Sequence, residues 1–286
     1  MYVPKKLLEQ KLKQILAEDI GQGDVTAATI IPAGLVVEAE VIAKEEGIVA
    51  GIEEATVLAE CLGLKVKANV ADGQKIRNKQ VLMQITGDAQ TILAVERTLL
   101  NIFSRMSGIA TQTRRLAERL EKANVKARIA ATRKSAPGLL YFDKKAVIIG
   151  GGDPHRLHLD DMVLIKDNHL AILGCSVEEA VTKAKATSSF TKKIEVEVTK
   201  AEDAVKAARA GADIVMLDNF SPAQAKVASV ALRKAGFGNV LLEVSGGITA
   251  ENLLDYAQAQ VDIISMGELT HSVRALDVSL EIVKGK

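Results

Sequence analysis

The stretch Ile194-Glu195-Val196-Glu197-Val198, then residues 201–209, then Ile214-Val215-Met216-Leu217-Asp218-Asn219, decides the fold. Two short Val/Ile-rich runs flank an alanine-rich helical pattern, which is the signature of a strand-helix-strand unit. The same rhythm extends outward in both directions. Apolar runs at residues 127–131 and 162–165 precede the unit, runs at 241–244 and 262–264 come after it, and a helix is predicted over 222–234. Recurrence every about twenty to thirty residues describes repeating β-α units and therefore a parallel sheet. Periodicity alone leaves open whether that sheet closes.

The residues directly after each run bear on closure. The runs end in Thr132-Arg133-Lys134, Lys166-Asp167-Asn168, Asp218-Asn219, Ser245-Gly246-Gly247 and Ser265-Met266-Gly267. Loops are polar in general, so any one of these is unremarkable. As a set, polar and glycine residues directly after successive strands match the carboxyl-terminal face of a (β/α) barrel, where chemistry and phosphate binding collect. The fold class expected is thus α/β with a barrel-like active site.

Within the opening stretch, period two places Glu195 and Glu197 on one face of a strand. On an antiparallel strand that face would be solvent. In a barrel it points inward, where an unpaired carboxylate costs several kcal/mol and needs a cation. With Asp218 ending the next run, a site of hard oxygen ligands becomes reasonable, and Mg²⁺ fits because it takes one or two carboxylates and completes its shell with water and substrate phosphate. Against these acids stands a run of cations: Arg133 and Lys134, His155 and Arg156 after Gly150-Gly151-Gly152, and Lys166. Arginine forks bind carboxylates bidentately, so a strongly anionic substrate is expected.

Other chemistries fit less well. His155, His158 and His169 form no H-E-x-x-H motif, Gly21-Gln22-Gly23 lacks the remainder of a dinucleotide fingerprint, and neither a P-loop nor G-x-S-x-G occurs. A Schiff base on Lys166, as in aldolase-type lyases, is the rival reading.

The first hundred residues read differently. A helical stripe at Leu8, Leu12, Ile15 and Leu16 precedes alternating strands at residues 37–41, 65–68 and 81–85, with a helix over 52–62. Asp88 can cap a helix over 89–106, and Gly108 separates it from a second helix ending near Ala123. Together these predict a small α/β sandwich. The chain has 286 residues, with 37 Lys plus Arg against 36 Asp plus Glu, a balance that argues against nucleic acid as partner. Trp is absent, which removes the usual stacking platforms. Two cysteines in no metal or redox spacing, no secretory segment and no long apolar run predict a cytoplasmic protein without membrane contact.

The ordered set of motifs is specific. Glu96-Arg97-Thr98, Ser107-Gly108-Ile109, Thr132-Arg133-Lys134 with Pro137-Gly138-Leu139, and Gly150-Gly151-Gly152 with His155-Arg156 come first. Leu164-Ile165-Lys166-Asp167-Asn168-His169, Glu195-Val196-Glu197-Val198, Met216-Leu217-Asp218-Asn219, Ser245-Gly246-Gly247-Ile248-Thr249 and Ile264-Ser265-Met266-Gly267 complete the series. This chain closely resembles the quinolinate phosphoribosyltransferase family, the carboxylating nicotinate-nucleotide pyrophosphorylases, over nearly its whole length.

The resemblance implies a type II phosphoribosyltransferase-like architecture. An amino-terminal sandwich over 1–107, rejoined by 272–286, would precede an incomplete barrel over 108–271. It implies transfer from phosphoribosyl pyrophosphate to quinolinate with decarboxylation, Mg²⁺ as the cofactor, no organic cofactor, and an obligate homodimer or higher oligomer. By motif match, Arg133, His155, Arg156 and Lys166 would line the quinolinate pocket with Arg97 from the partner chain. Lys134 would face pyrophosphate. Glu197 and Asp218 would serve ribose and metal, and Ser245, Gly246, Gly247 and Gly267 the 5′-phosphate. Relatives that use nicotinate, or are linked to molybdenum transport, share the fold. This chain has Leu140, Lys145 and His158 where members often carry Arg, Tyr and Gly, and Lys145 is the expected substitute for the cation missing at 140.

Overall fold

A computed structural model describes residues 3–285. By internal contacts the chain divides into one unit of residues 1–112, 145–151 and 273–286, and another of residues 113–144 and 152–272. The sequence places the boundary at 107/108 and 271/272. Cys61 and Cys175 are both free thiols, and among the described residues no helix is long and apolar enough to cross a membrane.

The first unit opens with α1 (Lys5–Ile20), whose buried stripe is Leu8, Leu12 and Leu16. Next along the chain are α2 (Val25–Ile30), β1 (Val36–Ala43), β2 (Gly47–Ile48), α3 (Ile52–Glu60), β3 (Lys65–Ala68), β4 (Lys75–Ile76) and β5 (Val81–Asp88). Strands β1, β5 and β3 join the carboxyl-terminal strand Val278–Gly285 in a four-stranded sheet, and β1 pairs antiparallel with both of its neighbours. Burial alternates strictly along β1, as it must when only one face of a sheet is covered.

One expectation is corrected. The two predicted helices on either side of Gly108 are a single helix, α4 (Ala89–Lys122), of 34 residues. Asp88 caps it as expected, its Oδ2 accepting from the Thr91 amide at 2.9 Å. The buried stripe Val95, Leu99, Ile102, Phe103, Met106 and Ile109 runs through the glycine without a break in phase. Gly108 is there for space: a Cβ would lie 2.2 Å from the Arg274 carbonyl oxygen. Glycine in a helix thus marks a close approach here rather than an end.

The second unit holds the six apolar runs as strands. These are β6 (Arg128–Ala130), β7 (Val163–Ile165), β8 (Ile194–Val198), β9 (Ile214–Asp218), β10 (Leu241–Ser245) and β11 (Ile263–Ser265). They form one parallel sheet in the order β6-β11-β10-β9-β8-β7. The edge strands β6 and β7 are consecutive in the chain and do not pair together, so the barrel is incomplete. Between the strands in the chain lie α5 (Leu140–Gly150), which passes into the first unit at residue 145, α6 (Asp167–Leu173), α7 (Val177–Thr187), α8 (Ala201–Ala210), α9 (Pro222–Lys234) and α10 (Leu253–Ala257), and α11 (Glu268–His271) follows β11.

Alternation along the strands divides two environments. Val196, Val198, Val215, Leu217, Leu242, Val244 and Ile264 face outward into a core shared with the helices. Ala204, Ala207 and Ala208 of α8 and Ala225 and Ala228 of α9 are small enough to seat those helices closely on the sheet. Serine capping boxes, Ser176 with Glu179 and Ser221 with Gln224, start α7 and α9. The residues of opposite parity, among them Glu195, Glu197, Asp218, Glu243 and Ser245, are left to the interior.

Candidate active site

A cavity of about 960 Å³ opens over the carboxyl ends of the strands. Every site residue expected in this unit lines it: Arg133 and Lys134 after β6, His155 and Arg156 before β7, Lys166 after β7, Glu197 and Asp218 on β8 and β9, Ser245, Gly246 and Gly247 at the end of β10, and Gly267 after β11. Arg97 is elsewhere. It stands on α4 in the first unit, its side chain 65% exposed and 4.0 Å from Glu96 Oε1.

The walls carry opposite charges. Lys166 Nζ is ion-paired with Glu197 Oε1, so the residue expected to meet a substrate carboxylate is held by a carboxylate of the protein. Asp218 Oδ2 accepts from Asn219 Nδ2 at 2.8 Å. Arg156 is buried. Burial, and then the charge of Arg133, lower its pKa; two cations pressed together in this way are relieved by an anion. Glu197 and Asp218 are hard oxygen donors facing one cavity, a donor set that suits Mg²⁺ with its remaining positions open to water and phosphate.

The glycine loop has a geometric cause. Gly246 has φ of +93°, and a Cβ there would meet the Asn219 side chain at 2.3 Å. Asn219 is itself left-handed, with φ of 56°, and its amide donates to the Ser245 carbonyl at 2.9 Å. Neighbouring strand ends thus lock together, leaving backbone rather than side chain toward the cavity. Gly247 has open space where its Cβ would be.

The floor holds what sequence reasoning missed. Glu195 and Glu243 are both fully buried, and their carboxylates face His155 Nε2 at 3.4 and 3.2 Å. Burial alone would depress the imidazole pKa, yet the neighbouring carboxylates of Glu195 and Glu243 raise it to about 10. Burial likewise raises the pKa of Glu195. The two-residue period points Glu195 inward; Glu243 is the residue that sequence reasoning misses, although a lone acid two positions before Ser245 carries the same signal.

The three departures also find places. Leu140 starts α5, and His158 is exposed with its amide donating to Asp161 Oδ2. Lys145, expected to compensate for Leu140, does not line the cavity. It is nearly buried and bonded to Glu53 and to Glu54, the latter at 2.7 Å, because two acids at the start of α3 claim its charge.

Known proteins resemble this chain over most of its length. The family model of the quinolinate phosphoribosyl transferase amino-terminal domain matches residues 24–107, and that of the carboxyl-terminal domain matches residues 109–281. A probable carboxylating nicotinate-nucleotide pyrophosphorylase of Methanocaldococcus jannaschii is 47% identical over 277 residues, 96% of this chain and 96% of its own. Its counterpart in Methanothermobacter thermautotrophicus is 46% identical over 272 residues, 95% of this chain and 97% of its own. The solved nicotinate-nucleotide pyrophosphorylase of Francisella tularensis superposes with a TM-score of 0.90 at 36% identity, covering 99% of this chain and 98% of that one. Matched by both domain models and by relatives along nearly its full length, the chain belongs to the quinolinate phosphoribosyl transferase family.

Proposed function

We infer that this chain is a carboxylating nicotinate-nucleotide pyrophosphorylase: it transfers the phosphoribosyl group of phosphoribosyl pyrophosphate to quinolinate, yielding nicotinate mononucleotide, pyrophosphate and CO₂ for NAD biosynthesis. The observation that carries this reading is one cavity joining Arg133, Arg156 and Lys166 to two carboxylates and a glycine loop. Those three features correspond to a dianionic pyridine, a ribosyl cation and a phosphate.

In this reading Arg133, His155, Arg156 and Lys166 hold the two quinolinate carboxylates by charge-assisted hydrogen bonds. Lys166 exchanges Glu197 for the substrate, which frees Glu197 as quinolinate enters. Ser245, Gly246, Gly247 and Gly267 seat the 5′-phosphate through backbone that approaches closely. As the bond from ribose C1′ to pyrophosphate breaks, Glu197 and Asp218 stabilise the positive charge developing on the ribose, and Lys134 neutralises the departing oxygens. Mg²⁺, held by Glu197 and Asp218, would supply further neutralisation of pyrophosphate. The pyridine nitrogen then bonds to C1′. The positive ring nitrogen stabilises the electron pair left on C2 when that carboxylate departs as CO₂, and a proton taken up from solvent at C2 completes nicotinate mononucleotide, so the protein needs no organic electron sink.

The same reading treats residues 1–107 with 272–286 as one domain and 108–271 as the catalytic domain. It places Arg97 over the site of a second copy in an obligate homodimer acting in the cytoplasm. Parallel assays with quinolinate, nicotinate and nicotinamide, each with phosphoribosyl pyrophosphate and Mg²⁺, test the assignment. Equal amounts of mononucleotide and CO₂ from quinolinate alone are expected. Mononucleotide without CO₂, formed from nicotinate, would overturn it.

A further inference from the structure

Two buried carboxylates beneath the cavity have no part in the chemistry of phosphoribosyl transfer. Glu195 on β8 and Glu243 on β10 flank β9 in the sheet, and both turn toward the same imidazole nitrogen. Both Glu195 oxygens and Glu243 Oε1 are buried without a partner that meets hydrogen-bond geometry. Two such groups buried side by side demand a cation, and His155 is the cation within reach, with the charge of Arg156 also acting on Glu195.

The backbone around the imidazole is equally constrained. His155 has φ of 55°, a left-handed conformation that a non-glycine residue keeps only where its surroundings enforce it. Asp153 Oδ1 accepts from the His155 amide at 2.8 Å. Lys144, fully buried, donates to the carbonyls of Pro154 and Arg156 on either side. His155 and Arg156 also line a second cavity of about 730 Å³ at the amino ends of the strands, beside Ile214, Leu241 and Ile263. The pair therefore stands between the two cavities, and the backbone turn that holds His155 is the one from which Arg156 projects.

We propose that Glu195 and Glu243 are positioning residues: together they clamp the His155 ring and, through the strained turn, fix the Arg156 guanidinium where it meets a substrate carboxylate. The consequence for substrate rests on the proposed phosphoribosyl transfer to quinolinate; the clamp itself does not.

Glu243→Gln keeps the shape and removes one charge. With quinolinate varied, its KM should rise about tenfold, while the KM for phosphoribosyl pyrophosphate stays within about twofold. In a His155→Ala background the same substitution should add less than about twofold, because the residue it acts through is gone. A merely structural role would instead lower kcat with both substrates and add fully to His155→Ala. Amide hydrogen exchange over residues 153–157 should quicken about tenfold in Glu243→Gln with β9 unaffected, a readout that needs no substrate. Glu195→Gln carries the same measurements if Glu243→Gln fails to fold. Unchanged exchange, or an unchanged quinolinate KM, would overturn the proposal. So would one equivalent of divalent metal, bound by the purified protein and lost in Glu243→Gln, since His155, Glu195 and Glu243 offer ligand atoms within 4.8 Å of one another. Wild-type enzyme that ignores quinolinate would overturn the function, and exchange alone would then decide the clamp.

Discussion

Two strands of this molecule carry the same local pattern and do opposite things with it. In β1 the sequence Val37-Glu38-Ala39-Glu40-Val41 alternates, and in β8 Ile194-Glu195-Val196-Glu197-Val198 alternates likewise. On β1 the apolar residues are buried and both glutamates remain partly solvated, with Glu40 accepting from Gln84 on the neighbouring strand at 3.0 Å. On β8 the valines are buried under helices, but Glu195 is fully buried and Glu197 faces the cavity. An antiparallel sheet covered on one side gives its second face to water, whereas a parallel sheet curved into a barrel gives that face to the site. Identical codes thus specify a solvated surface in one unit and the chemistry in the other.

The largest expected contrast is in stability. Glu195→Ala empties a fully buried position and takes one of two carboxylates from the His155 imidazole, and should cost about 2–4 kcal/mol by urea unfolding. Glu38→Ala should stay within about 0.5 kcal/mol; equal effects at the two positions would erase the comparison. Next comes turnover. Glu197→Gln and Asp218→Asn should fold normally and lose about 10²–10³-fold in kcat, while Glu40→Gln keeps its rate. Wild-type rates in either cavity variant at saturating Mg²⁺ would remove those carboxylates from the reaction.

A smaller effect sharpens the comparison through pH. The His155 pKa is raised from 6.5 to about 10, so its stabilisation is complete below pH 6.5 and is lost as pH rises toward 10. Buried Lys144 is lowered from 10.5 to about 8. Above pH 8 it acts in the opposite sense, because the unfolded chain keeps a proton that the folded chain releases. The urea midpoint should therefore fall between pH 6.5 and 8, and His155→Gln should flatten that slope. A slope unaltered in His155→Gln would mean the imidazole is not held as a cation. The least effect is expected from Lys44→Gln, which breaks an exposed ion pair with Glu281 and should leave both rate and midpoint nearly unchanged.

Most of the barrel is legible because each parallel strand buries its outer face under helices and so reads as a short Val/Ile-rich run, and the polar residue that ends it stands out. Arg133, Lys166, Asp218 and Ser245 are conspicuous for that reason. The helix break expected at Gly108 failed because the reason for the glycine, the Arg274 carbonyl, lies far away in the chain. Glu243 was hidden for a similar reason. One acid among apolar neighbours carries little local meaning, and its partner His155 stands 88 residues earlier. Lys145 shows the converse error, since a cation close in sequence to the site was claimed by Glu53 and Glu54.

In the proposed division of labour among four inward acids, Glu197 and Asp218 would hold the metal beside the substrate, and Glu195 and Glu243 would hold His155. Anomalous scattering from Mn²⁺, in crystals grown with a non-reactive phosphoribosyl pyrophosphate analogue, tests it directly. The account predicts a single strong peak beside Glu197 and Asp218, with the space between His155, Glu195 and Glu243 empty of metal. A peak among those last three residues, with none at Glu197 and Asp218, would contradict it.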